Sequence, residues 1–179
     1  MPTLQTPTAP ISRPASGSSA TAECPIESGM QRLAPVLRRV AVETAGAFLC
    51  VPASLGSAWE APRTAVPEAL HCSQMNIGEK YQLLCNLSVN KSDWSKLFTS
   101  GVNEQIRMDA YCEMANCICG TVLAEADFTG EFGYLIPCVP CNGASRLEGE
   151  VIVEQGSMLV GGAWVHFSFA VQECTAPEV

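Results

Sequence analysis

Asp109-Ala-Tyr-Cys-Glu113-Met-Ala-Asn116-Cys-Ile-Cys-Gly120 is the stretch from which the rest of this chain is best read. At about 100° per residue, Asp109, Glu113, Asn116 and Gly120 fall within roughly 60° of a helical wheel. Met108, Tyr111, Cys112, Ala115, Ile118, Cys119 and Val122 take the opposite side, which an amphipathic helix buries. The polar stripe is narrow, and its flanks are Met114 and Cys117 rather than Lys or Glu. Any solvent-facing helix carries polar residues at such spacing. Two features set this one apart: no Lys or Arg occurs between Arg107 and Arg146, and Asn116, a poor helix former, sits mid-helix where a plain solvent face could use a better one.

Working outward, Asn103 is placed to cap this helix, which runs to about Leu123. A short helix with Trp94, Leu97 and Phe98 at helical spacing precedes it, with Ser92 as its cap, and Ser100-Gly101 breaks the chain between the two. Further upstream, Tyr81–Val89 alternates, with Leu83, Cys85, Leu87 and Val89 on one face, and reads as a half-buried strand. Residues 51–75 hold Pro52, Pro62 and Pro67 and read as loop with a short edge strand. Between Arg32 and Cys50, Leu33, Val36, Leu37, Val40, Thr44, Ala47 and Phe48 recur at steps of three and four, with Pro35 tolerated in the first turn. Downstream, Tyr134-Leu135-Ile136 is a strand ended by Pro137. Glu150–Gln155 and Met158–Gln172 form a hairpin about Gly156-Ser157, with Val165, Phe167, Phe169 and Val171 sharing a face. This order predicts an α+β fold, an antiparallel sheet with helices packed on one face. Residues 1–30, rich in Pro, Ser and Thr without apolar periodicity, are expected to be a disordered tail before one domain over 31–175.

The 179 residues carry a net charge of −8, which argues against a nucleic-acid partner because no basic stripe faces the phosphates. No run of about 18 apolar residues exists to insert in a membrane. The first residues lack an apolar segment behind a basic one, so no secretion signal is read there. The 10 cysteines lie mostly in apolar runs, where a reduced thiol acts as a small hydrophobe, and this favours the cytoplasm. Cys138-Val-Pro-Cys141 is a C-x-x-C but leads toward a strand rather than the helix N-terminus that activates redox cysteines. Cys117, Cys119, Cys138 and Cys141 make a poor zinc set, because two thiols of a C-x-C diverge by about 200° on a helix. His71 and His166 suggest no catalytic triad, and Gly161-Gly162 is followed by a strand, so it is no phosphate loop. No metal site is expected.

With its context, the stretch DAYCEMANCICG resembles the signature of the CheC/CheX/FliY chemotaxis phosphatases, CheX-like members above all. That signature is an acidic or Ser residue, three residues, Glu, two residues, Asn, and a proline a little over twenty residues on. Asp109, Glu113 and Asn116 match it, and either Pro137 or Pro140 supplies the proline. The likeness covers about residues 76–172 well and 32–50 weakly. It implies two similar helix–strand halves. Glu43-Thr-Ala-Gly46 aligns with Glu113-Met-Ala-Asn116, so one of two sites is intact. It further implies an aspartyl-phosphate protein phosphatase acting on a phosphorylated CheY-type response regulator, with Asn116 orienting water and Glu113 docking on the regulator's lysine. Asp109, Met114, Cys117 and Gly120 would complete the docking face. The chain would need no cofactor of its own, Mg²⁺ being held by the regulator, and a homodimer through strand edges is also implied. A non-catalytic adaptor that binds a receiver domain or flagellar switch component is the alternative.

Overall fold

A computed structural model describes residues 33–56, 69–77, 81–98, 100–125, 134–141, 147 and 149–173, so the expected tail lies outside the described residues. In chain order the elements are α1 (Ala34–Leu49), β1 (Ala53–Leu55), β2 (Ala69–Ile77), β3 (Tyr81–Asn90), α2 (Lys91–Leu97), α3 (Glu104–Glu125), β4 (Tyr134–Cys141), β5 (Val151–Val160) and β6 (Ala163–Glu173). The six strands form one antiparallel sheet in the order β1-β5-β6-β3-β2-β4. Exchange of the first three strands with the last three leaves that order unchanged apart from its direction. The fold is therefore two like halves, each led by a long helix, joined through the central pair β3–β6. No helix among the described residues is long and apolar enough to cross a membrane.

The core lies between the sheet and α1 with α3. Leu83, Cys85, Leu87 and Val89 of β3 and Val165, Phe167, Phe169 and Val171 of β6 are buried there, as their alternation predicts. β3 is buried beyond a half-buried strand: Leu84 and Asn86, on its other face, are buried as well, and the Ser73 hydroxyl donates to Asn86 Oδ1 at 2.5 Å. On α1 the buried stripe is Leu37, Val40, Ala41 and Ala45, while Ala47 is exposed. Ser92 lies inside α2 rather than capping it, since that helix already starts at Lys91.

Three strand expectations change. β2 occupies part of the segment read as loop; its core-facing side carries Gln74 and Asn76, both buried, which hide the alternation. β4 does not stop at Pro137. It is an edge strand, where a missing N–H is tolerated, and its pairing with β2 shifts register between Ser73 and Met75 so that Pro137 and Cys138 share a bulge. The hairpin turns at Gly161-Gly162, with φ of 56° and 89°, the left-handed pair a two-residue turn demands. Gly156 instead sits within β5 against the Phe167 ring, which would lie 2.8 Å from an added Cβ.

Candidate functional site

The helix that carries the site is anchored at its start. Asn103 Oδ1 accepts the Gln105 backbone N–H at 2.7 Å, an N-cap, and Glu104 accepts the Trp94 indole N–H at 2.7 Å, tying α3 to α2. Trp94 also stacks edge-on against Tyr111 at 5.4 Å. Beyond the first turn, Tyr111, Cys112, Met114, Ala115, Ile118, Cys119 and Val122 are all buried. They span about 160° of the wheel.

Opposite that arc a ridge stands out. Asp109 and Glu113 are exposed, and Asn116, Cys117 and Gly120 are half-buried. Asp109 accepts from the Gln105 amide at 2.8 Å. Asn116 Nδ2 donates to both Glu113 carboxylate oxygens at 3.4 Å, the long end of hydrogen bonding, so the amide is oriented without being locked. The Cys117 thiol lies 3.8 Å from Glu113 Oε1, and burial together with the Glu113 charge pushes that thiol up. A Cβ at Gly120 would meet nothing within 4 Å, so the ridge is open beside Asn116. Met114 is a correction. It was placed on the docking face, yet it is fully buried, because α3 packs on α1 as well as on the sheet and the covered arc reaches past it.

The equivalent stretch of α1 looks different. Glu43 is exposed but engaged by Arg39 at 3.0 Å, and Arg39 also pairs with Glu125 of α3. Those two carboxylates, Glu125 first, hold the Arg39 guanidinium above its usual range. At Gly46 an added Cβ would lie 3.0 Å from Ala53 Cβ and 3.1 Å from the Val51 carbonyl oxygen. The second ridge is filled by packing against β1.

Of the sulfurs weighed for zinc, the structure does not gather Cys117, Cys119 and Cys138. Cys117 is on the ridge shoulder and Cys119 is buried with Cys85, whose thiol is pushed up first by its hydrogen bond to Cys119. The side chain of Cys141 lies outside the described residues. A different trio does meet: the sulfurs of Cys72, Cys112 and Cys138, all within 4.8 Å of one another. Their positions match no metal-ligand spacing, and Cys72 lies on the strand hidden by Gln74 and Asn76, so no sequence signal marks them. His166 bonds the Ser157 hydroxyl at 2.8 Å, and burial lowers the pKa of both histidines.

The class these features define is an α+β domain of two like halves, with an outward Asp–Glu–Asn ridge on the helix of one half. Its fold is that of the CheX and CheC-like chemotaxis proteins. A CheC-like protein from Shewanella oneidensis MR-1 superposes with a TM-score of 0.58 at 9% identity, over 76% of this chain and 95% of that one. CheX from Desulfovibrio desulfuricans gives 0.54 at 10%, over 79% and 99%. A chain of the CheX–CheY complex with beryllium fluoride and Mg²⁺ from Borrelia burgdorferi gives 0.51 at 11%, over 76% and 96%. No family model and no curated protein matches the sequence.

Proposed function

We propose that this chain hydrolyses the aspartyl phosphate of a CheY-type response regulator, acting in the cytoplasm. The observation that carries the reading is Asn116, half-buried beside exposed Glu113 on the outer ridge of α3. Support comes from the fold, shared with CheX and CheC-like chemotaxis proteins, one of which stands in a complex with CheY.

Phosphoryl transfer from an acyl phosphate needs positioning and charge stabilisation more than covalent help. The Asn116 carboxamide can donate to and accept from one water, holding it in line with phosphorus. The water oxygen bonds to phosphorus as the bond to the aspartyl oxygen breaks; inorganic phosphate leaves and the regulator's carboxylate is restored. An amide is not a base, so the proton passes to the phosphoryl oxygens or to solvent. Glu113, one turn earlier, meets the regulator's lysine, and Asp109 extends the acidic face for docking. Gly120 lets the partner approach, and Cys117 lines the shoulder. Mg²⁺ belongs to the regulator.

The test is loss of phosphate from a phosphorylated receiver domain with this chain substoichiometric. Turnover is expected, with Asn116→Ala removing it. Stoichiometric binding without acceleration by the natural chain would instead make this an adaptor.

A further inference from the structure

We propose that Cys72 of β2, Cys112 of α3 and Cys138 of β4 form a three-thiolate site for a thiophilic divalent d¹⁰ cation such as Zn²⁺ or Cd²⁺. This departs from the expectation that the chain holds no metal site.

Geometry carries the proposal. Three elements distant in sequence bring their sulfurs within 4.8 Å of one another. Tetrahedral thiolate ligation at about 2.3 Å per bond asks for sulfurs roughly 3.8 Å apart, so the trio needs to close by about 1 Å. Cys138 stands in the β4 bulge, a place where the backbone re-aims a side chain. The trio differs from the other thiol group in the core, Cys85 with Cys119, which is a pair and wholly buried. Here Cys138 is half-buried and Cys112 retains 8% exposure, so a hydrated ion has a way in. Among the described residues, no other His, Cys, Asp or Glu joins the trio. The Cys72 thiol lies 3.9 Å from the backbone oxygen of Tyr111, a fully buried residue whose hydroxyl has no hydrogen-bond partner.

On binding, Cys72, Cys112 and Cys138 each release a proton to the buffer; three metal–sulfur bonds form, three S–H bonds break, and no electron changes hands. The bound ion would join α3 to β2 and β4 immediately before Glu113.

The experiment uses the full chain, reduced, stripped with a chelator and titrated with Cd²⁺. Sulfur-to-cadmium charge-transfer absorption should saturate at one equivalent, with the cadmium protecting Cys112 and Cys138 from alkylation while exposed Cys50 stays reactive. Cys138→Ser, on an edge strand and half-buried, should keep the natural far-ultraviolet dichroism and weaken binding by at least about 100-fold. Cys112→Ser should do the same, and Cys50→Ser, at an exposed thiol outside the trio, should leave cadmium binding unchanged. Absence of the band, its persistence in Cys138→Ser, or alkylation of Cys138 at the natural rate in saturating cadmium would overturn the site. The alkylation readout needs no variant to fold.

Discussion

The two halves of this molecule build the same scaffold around opposite solutions. On α3, Glu113 is exposed and Asn116 half-buried along an outer ridge, and a Cβ at Gly120 beside them would meet nothing within 4 Å among the described residues. On α1, Glu43 is held by Arg39, and Gly46 takes the place of the amide because β1 presses against it. Sheet order and helix placement are common to both, so the fold alone does not make a site. What differs is local: whether the residue three beyond the glutamate has room for a side chain. The sharpest way to break this contrast is Asn116→Ala. If the amide positions water, loss of phosphate from the regulator should slow by at least about 100-fold, the scale on which misplaced reactants cost rate. Binding should stay within a few-fold of the natural chain. Glu113→Ala should weaken binding as well as rate. Time courses with excess and with limiting regulator separate these effects, and natural speed from Asn116→Ala would end the mechanism.

The opposite graft should fail for a steric reason. Gly46→Asn restores the Glu–Asn pattern on α1, but its Cβ lands 3.0 Å from Ala53 Cβ and 3.1 Å from a backbone oxygen, neither a flexible side-chain end. Overpacking of that kind costs about 1–3 kcal/mol, partly offset by the helix preference of Asn over Gly. A chain of this length should lose roughly 2–4 °C of melting temperature per kcal/mol. Thermal unfolding checks the cost, and phosphate loss checks the graft: an added second activity would show that packing is not what silences α1.

How far the sequence carried this contrast depends on which forces act locally. The α3 ridge was legible because a helix wheel needs only the period and a sheet below it, and β6 was legible because Val165, Phe167, Phe169 and Val171 alternate cleanly. Met114 was misplaced because the wheel allows for one packing surface, while α3 has two, the sheet and α1. β2 was hidden because buried polar residues, Gln74 and Asn76, break the pattern that marks a strand. The hairpin was set at the wrong glycine, since Gly156 serves to admit the Phe167 ring rather than to turn the chain. The closing of α1 at Gly46 depends on a tertiary neighbour from β1, and the Cys72–Cys112–Cys138 trio on three separate elements. Neither leaves a trace at fixed spacing.

Gly120→Ala sharpens the comparison from the open side. A glycine in a helix interior is less stable than alanine by about 1 kcal/mol, and a methyl here meets nothing within 4 Å. The variant should therefore melt higher, by roughly 2–4 °C. It should also slow phosphate loss several-fold when regulator is limiting, because the methyl stands where a partner must approach. Stability gained with docking lost is the signature of a glycine kept for access. If both stability and rate rise, Gly120 does not line the docking surface.

The smallest effect is expected where the two helices touch by charge. Arg39 pairs with Glu43 on its own helix and with Glu125 at the end of α3, and all three side chains are substantially exposed. Exposed pairs gain little over solvation and are screened by salt. Arg39→Ala should move the melting temperature by no more than about 2 °C, and the difference should vanish in high salt. Freed from Arg39, Glu43 would still lack the amide partner that Glu113 has in Asn116, so no new activity should arise on α1. Phosphate loss should be unchanged, since Glu125 lies beyond the Asp109–Gly120 ridge. A marked loss of rate in Arg39→Ala with unchanged stability would mean that α1 sets the pose of the α3 ridge, and the halves would then have to be treated as one site rather than as an open one and a closed one.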